Sequence, residues 1–183
     1  MTKDKKDPGQ TGGAPGSIAE TLRNLVRADL EFLIAGGVAA QIYGSNRVTM
    51  DLDLIPSVKS KDWQRLITKL ESMGFVAMDA KRDEILNPTR LRKWARARGA
   101  ISLRLRREEP PLSIDLLFFA GEHYEFYKGR CRKEGEGNEV LRVVSPFDLI
   151  EMKRTSGRPH DLLDIAAIEA AMGKSSQSPR ITP

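Results

Sequence analysis

Two aspartates two residues apart, Asp51 and Asp53, stand in a regularly alternating run over residues 47–55. Arg47, Thr49, Asp51 and Asp53 share one parity, and Val48, Met50, Leu52 and Leu54 share the other. A strand sends successive side chains to opposite faces, so the even-numbered residues are expected to fill a core behind a polar row. The rise per residue puts the two aspartate Cα atoms roughly 6.5–7 Å apart. Such a pair repels itself unless a cation sits between, and Mg²⁺ (or Mn²⁺) suits hard carboxylate ligands completed by substrate phosphates. A third acid, Asp115, lies inside the apolar run LSIDLLFF at 112–119. An ionised group there is costly unless it is paired or metal-bound. Two accounts of Asp115 stay open: a ligand beside Asp51 and Asp53, or an ion pair with Arg104 or Arg106. Three strand carboxylates meeting at one place is what two-metal phosphoryl transfer needs. One metal acidifies the attacking hydroxyl, and the other holds a triphosphate and neutralises the leaving pyrophosphate. On that account Asp51 and Asp53 bridge both ions, and Asp115 holds the metal that activates the acceptor.

Gly36-Gly37, where an apolar run stops, fits the same chemistry. Glycine lets backbone approach phosphate oxygens, and a helix starting there aims N–H groups at an anion. A tight turn with no ligand is the plainer account of the same pair.

The elements that must position these residues follow from periodicity. Ser17-x-x-Glu20 is a capping-box pattern ahead of Ile18, Leu22, Leu25 and Val26 at helical spacing. A strand is expected over 31–35, a helix over 37–43 and a second strand over 48–55. Ser60 can cap a helix over 61–73 that stops at Gly74, and a short strand follows over 75–78. Residues 79–87 give no clear element. Pro88 opens a basic helix to Arg98, with alternation again over 101–106 and a mostly apolar strand over 112–119. Weaker strands around 130–133 and 139–144 flank a turn. Ser145-Pro146 starts a helix to about 155, and Pro159 opens another to 172. Residues 1–16 and 173–183 read as disordered tails. The expected domain is 17–172, with an α/β core over 17–144 and a C-terminal helical pair over 145–172.

Composition narrows the function classes. In 183 residues, 40% hydrophobic, no run approaches the roughly 18 apolar residues of a membrane span. No apolar segment follows the N-terminal lysines as a secretory leader requires. One cysteine, Cys131, excludes an internal disulfide framework and fits the cytoplasm. Two histidines, His123 and His160, leave too few ligands for a structural zinc site. The net charge of +5 favours a polyanionic partner.

Ile34-Ala35-Gly36-Gly37-Val38-Ala39, then Tyr43-Gly44 and Arg47-x-Thr49-x-Asp51-Leu52-Asp53, resembles motif I of the nucleotidyltransferase superfamily related to DNA polymerase β. More narrowly it is similar to AbiEii/MenA-type and MNT-like toxin nucleotidyltransferases. Ser145-Pro146-x-Asp148-Leu149-Ile150-x-Met152-Lys153, with Gly157-Arg158-Pro159-x-Asp161-Leu162-x-Asp164, resembles their C-terminal motif. The resemblance runs from about 33 to 169. It implies a mixed α/β (α+β) fold with a C-terminal helical pair, and NMP transfer from an NTP to an acceptor hydroxyl with Mg²⁺ or Mn²⁺. It also implies that Gly36, Gly37, Thr49, Lys153 and Asp161 meet the nucleotide, with Asp161 or Asp164 orienting it or the C-terminal helices. Arg47 either binds the nucleotide or pairs with Asp51. Many superfamily members carry serine where this chain has Gly37, so only backbone donors remain there.

Residues 88–107 hold eight arginines and lysines and no acid. Arg92, Lys93, Arg96 and Arg98 are the candidate RNA contacts, and Trp94 either stacks on a base or joins the core. The acceptor expected from this block and the resemblance is RNA, a tRNA 3′ end, with an antitoxin protein as a second partner. Two other readings compete: an enzyme modifying an aminoglycoside or lincosamide, and a nucleotide- or RNA-binding module without catalysis.

Overall fold

The structure, a computed structural model, describes residues 16–137 and 139–176, with side chains to 173. The expected N-terminal tail up to residue 15 lies outside the described residues, as do residues 177–183.

Among the described residues, seven strands form one mixed sheet: β1 (Phe32–Ile34), β2 (Asp51–Pro56), β3 (Val76–Ala77), β4 (Leu103–Arg107), β5 (Leu112–Leu116), β6 (Arg132–Glu134) and β7 (Leu141–Val143). Their order across the sheet is β3-β4-β5-β2-β1-β7-β6. The β2–β5 and β1–β7 pairs are parallel and the other four pairs are antiparallel. β2 therefore has neighbours on both sides. Leu52 and Leu54 are fully buried, as are Leu105, Ile114 and Leu116 on the two strands beyond.

The alternating run is longer than the strand it produces. β1 ends opposite Leu54 and β5 reaches back only to Asp51, so residues 47–50 have no strand to pair with. Val48 is 76% exposed and Met50 74%, which corrects the expectation that both fill the core. Segment 45–50 is tied instead by polar contacts. Gln41 Nε2 donates to the Arg47 carbonyl at 2.8 Å, and Arg47 N–H donates to Ser45 Oγ at 3.3 Å. The same shortening occurs in β4, where Ile101 lies outside the strand and is 69% exposed.

Among the helices, α1 (Ile18–Arg27) starts at Ser17, whose Oγ accepts the Glu20 N–H. α2 (Gly36–Ile42) follows β1 directly. α3 (Ser60–Ser72) buries Trp63, Leu66, Ile67 and Leu70; Ser60 is its first residue and not its cap, and Gly74 beyond it has φ +84. The segment with no readable pattern contains α4 (Arg82–Ile85). Two indoles pin it: Trp63 Nε1–H donates to the Ile85 carbonyl at 2.5 Å, and Trp94 Nε1–H to the Asp79 carbonyl at 3.2 Å. α5 (Pro88–Arg98) has Asn87 as its side-chain cap and ends at left-handed Gly99.

After β5 the apolar run turns into α6 (Phe118–Gly121), which shortens the expected 112–119 strand, and α7 (Tyr124–Arg130) follows. α8 (Pro146–Ser156), capped by Ser145, packs on α2 and on α9 (Pro159–Ser176). α9 continues four residues past Met172. Its inward side includes Asp161 and Asp164 beside Ile165 and Ile168, while Leu162 and Leu163 are exposed. No helix among the described residues is long and apolar enough to cross a membrane.

Candidate active site

The register of the three central strands brings the acids together. Asp53 on β2 lies directly opposite Asp115 on β5, and Asp115 lies opposite Arg104 on β4. Neighbouring strands run about 4.7–4.9 Å apart, so Asp53, Asp115 and Arg104 form one polar row across the sheet. Asp51 is two residues along on the same face. All four line a cavity of about 570 Å³, closed by Gly36 and Gly37 on one side and by Lys153 and Asp161 on another. Sites of that size hold small molecules.

Burial pushes the Asp53 carboxyl above its ordinary pKa, and the charge of Asp115 adds to this. The Gly37 N–H, 3.4 Å from Oδ2, pulls the other way, and Asp51 adds further repulsion. Gly36 has φ +57, and a Cβ there would fall 1.8 Å from Asp53 Oδ2. At Gly37 a Cβ would fall 2.7 Å from Thr49 Oγ1. The glycine pair therefore makes room for Asp53 and for the 47–49 segment, whatever else it does.

Asp115 is 8% exposed, and Arg104 grips both its oxygens, Nε to Oδ1 at 2.9 Å and Nη2 to Oδ2 at 2.6 Å. The hydrogen bond and charge of Asp115 hold the Arg104 guanidinium above its usual range. Both accounts of Asp115 thus meet in one residue: it stands beside the acid pair and it is ion-paired. Among the described residues no group of three or more His, Cys, Asp or Glu side chains stands at metal-ligating spacing. Asp51 and Asp53 by themselves offer the hard oxygens that Mg²⁺ takes together with substrate phosphates. A cation there would relieve the repulsion among Asp51, Asp53 and Asp115. The donor set fits a divalent ion at the pair, whereas both oxygens of Asp115 are taken by Arg104.

Lys153, 5% exposed, reaches the cavity wall from α8. Its Nζ donates to Asp161 Oδ1 at 3.1 Å and Asp164 Oδ2 at 2.7 Å. Asp164, fully buried, also accepts from Ser45 Oγ at 2.6 Å and from the Arg47 guanidinium at 3.4 Å. Burial alone would raise Asp164, but the hydrogen bonds from Lys153 and Ser45 and the Lys153 and Arg47 charges outweigh it and lower the carboxyl. Asp161 is lowered likewise: against burial stand hydrogen bonds from Ser156 and Lys153, the Lys153 charge and the Arg158 N–H. The carboxylate partner of Arg47 is thus Asp164 and not Asp51. Arg47 and Thr49 both line the cavity.

The basic block divides. Arg90 pairs with Asp83 at 3.6 Å and Arg92 with Glu122 at 2.5 Å. Lys93 and Arg96 are exposed and form no ion pair with a described residue, and the Arg98 guanidinium lies 5.3 Å from the Trp94 ring centre. Trp94 is 6% exposed and packed in the core, which settles it as a structural side chain and not a base platform. The cavity also has an apolar wall that no sequence pattern announced: Phe119, Tyr127, Leu149 and Met152. Phe119 and Tyr127 come from the two short helices after β5, which carry no readable helical period.

No protein-family model and no curated protein matches the chain. Among solved structures it is similar to an antigenic nucleotidyltransferase-like protein from Paracoccidioides brasiliensis, with TM-score 0.54 and 16% identity over 86% of this chain and 74% of that one. At that identity the likeness is one of fold. The chain has a nucleotidyltransferase-like fold, a mixed seven-stranded sheet flanked by helices.

Proposed function

We propose that the chain is a metal-dependent nucleotidyltransferase that moves an NMP from an NTP to a hydroxyl of RNA, a tRNA 3′ end. The observation that carries this reading is the register pairing of Asp53 with Asp115, with Asp51 on the same face of one cavity. Asp51 and Asp53, joined by Asp115, are the residues to hold Mg²⁺ or Mn²⁺ with the nucleotide. When bound, such ions supply neutralisation of the departing pyrophosphate and acidification of the acceptor hydroxyl. In the reaction the acceptor oxygen bonds to the α-phosphorus, and the bond to pyrophosphate breaks with its electron pair leaving on pyrophosphate. The hydroxyl proton goes to Asp115 or to water.

The chain's own groups prepare this. Gly36 and Gly37 leave the cavity floor open beside Asp53, where phosphate oxygens can approach backbone. Lys153 and Arg47 place two cations at the wall, held in position by Asp161 and Asp164. The apolar wall of Phe119, Tyr127 and Met152 gives a base a surface to lie against. The resemblance of the 34–53 and 145–164 motifs to toxin enzymes supports the tRNA end as acceptor and an antitoxin protein as partner.

Incubation with each α-labelled NTP, Mg²⁺ and total tRNA tests the reading. RNA becomes labelled with the wild-type chain, and Asp51→Ala reduces labelling by at least about 10³-fold, as loss of a group acting on the transition state requires. Label reaching an aminoglycoside or lincosamide but never RNA would replace the acceptor. NTP binding with no transfer to any acceptor would remove the enzyme reading.

A further inference from the structure

Ser45 lies between α2 and the unpaired 47–50 segment and is 8% exposed. Its hydroxyl makes two bonds. Oγ–H donates to Asp164 Oδ1 on α9 at 2.6 Å, and Oγ accepts the Arg47 N–H at 3.3 Å. A serine that only closes a turn needs the second of these, a local bond to backbone two residues on. The first reaches a fully buried carboxylate 119 residues away in the chain.

We infer that Ser45 is a positioning residue of the nucleotide site: it keeps Asp164 in place while Arg47 turns from that carboxylate to the triphosphate. This rests on the nucleotidyl-transfer reading for what Arg47 meets, and it names the group that frees Arg47 to do so.

Three donors converge on Asp164, and their lengths rank them. Ser45 takes Oδ1 at 2.6 Å. Lys153 takes Oδ2 at 2.7 Å, and Arg47 reaches that same oxygen at 3.4 Å from both Nε and Nη2. Charge-assisted N–H···O bonds run about 2.7–2.9 Å, so the Arg47 contact is the loose one. The Arg47 side chain is also 34% exposed and lines the cavity, whereas that of Lys153 is 6% exposed and has Asp161 as a second partner. Arg47 Nη2 already stands at the glycine turn, 3.0 Å from where a Gly37 Cβ would lie. An NTP entering there recruits Arg47 first.

The departure of Arg47 takes a donor from a buried carboxylate. Lys153 still serves Oδ2, but Oδ1 has no donor besides Ser45 among the described residues. A buried ionised oxygen without a donor is costly, and that cost would hold Arg47 back. With Ser45 present, each oxygen keeps one bond whether Arg47 stays or goes. The same hydroxyl anchors Arg47 at its backbone, so it fixes the root of the side chain and releases the tip. Tyr43 provides the contrast. Its Oη–H ties down the same stretch after α2, but through the Val144 carbonyl at 2.8 Å and not through Asp164.

Equilibrium dialysis of the full chain against each of the four α-labelled NTPs with Mg²⁺, without RNA, is the test. Ser45→Ala binds the preferred nucleotide at least about tenfold more weakly than wild type, the scale of one hydrogen bond to a charged group. Ser45→Thr, which keeps the hydroxyl, stays within about threefold. Tyr43→Phe loses a buried hydrogen bond from the same stretch and stays within about twofold. In an Arg47→Ala background, Ser45→Ala changes affinity by less than about twofold, since no guanidinium is left to release. Circular dichroism melts establish that each variant is folded at the assay temperature. Ser45→Cys, a weak donor on nearly the same frame, replaces the alanine variant if that one is unfolded, and shows a smaller loss in the same direction. A Ser45→Ala loss that falls short of the expected one, that Tyr43→Phe reproduces, or that persists without Arg47 overturns the role of Ser45 and leaves the transfer reading standing. Wild type that binds none of the four nucleotides removes the transfer reading, and the role of Ser45 with it.

Discussion

Replacing Lys153 by methionine tests the most deeply placed charge of the site. The Lys153 side chain is 6% exposed, and its ammonium lies between the side chains of Asp161, 7% exposed, and Asp164, 1% exposed. Methionine keeps most of the aliphatic volume, so the loss is electrostatic. Removing one partner from a buried pair costs about 3–5 kcal/mol, since it leaves a charge uncompensated. Asp164 keeps Ser45 and Arg47 as donors, which puts the expected cost near the lower figure, about 3 kcal/mol. For a domain of this size each kcal/mol moves the melting temperature by about 2–4 °C, so Lys153→Met melts about 6–12 °C lower at neutral pH. Its pH dependence has a definite sign. Both carboxyls are held below their ordinary range in the folded chain, so their contribution is present above the unfolded value near 3.9. It is lost as the pH falls through the folded value. The gap between wild type and variant is therefore full at neutral pH, begins to close only as the pH drops below about 3.9, and goes on closing through the lower folded values. Thermal melts by circular dichroism across that range are the assay. A variant melting within about 1 °C of wild type at neutral pH would show that no such buried triad exists.

Other substitutions probe the remaining parts. Gly36→Ala puts a Cβ into the Asp53 carboxylate and strains a residue at φ +57. It costs about 1–2 kcal/mol in backbone conformation alone and, by displacing Asp53, at least about 100-fold in transfer, read by melt and labelling assay. Asp53→Asn removes a charge crowded by Asp115 and Asp51. It abolishes transfer while raising stability by about 0.5–1 kcal/mol in the metal-free protein, the trade expected when a strained site is relaxed. Val48→Ser with Met50→Ser leaves the urea midpoint nearly unmoved, within about 0.5 kcal/mol for each residue, since both side chains are already in solvent. A large loss would show that the 47–50 segment packs as a strand after all.

How much of this was legible in the sequence depends on whether local or distant groups decide. α5 was readable at both ends, since proline at its first position and glycine after its last act on the backbone locally. The alternation at 51–55 was readable too, because β1 and β5 both pair there. The same alternation misled at 48 and 50, where pairing partners run out, and length of pairing is not written in one strand's pattern. Segment 79–87 stayed blank because two indole donors from elsewhere organise it. Asp115 was identifiable as a costly group in an apolar run, and Arg104 was among its expected partners. That Arg104 would be the one placed directly opposite Asp115 required the register of β4. On α9 the apolar residues at 162, 165, 166 and 168 do not form one inner face, because the buried lysine on α8 draws Asp161 and Asp164 inward.

The position of the polar row in the sheet has an evolutionary consequence. The acids lie on adjacent interior strands, whereas α4 and α5 belong to a single excursion between the two strands at one rim, β3 and β4. Such an excursion can be lengthened or recharged without altering the register that sets the acids at mid-sheet, where the phosphoryl chemistry is proposed. The condition is that any replacement refill the volume of Leu91 and Trp94, which anchor the present one. On the proposed reading, the choice of substrate would rest with the rim and the reaction with the middle of the sheet.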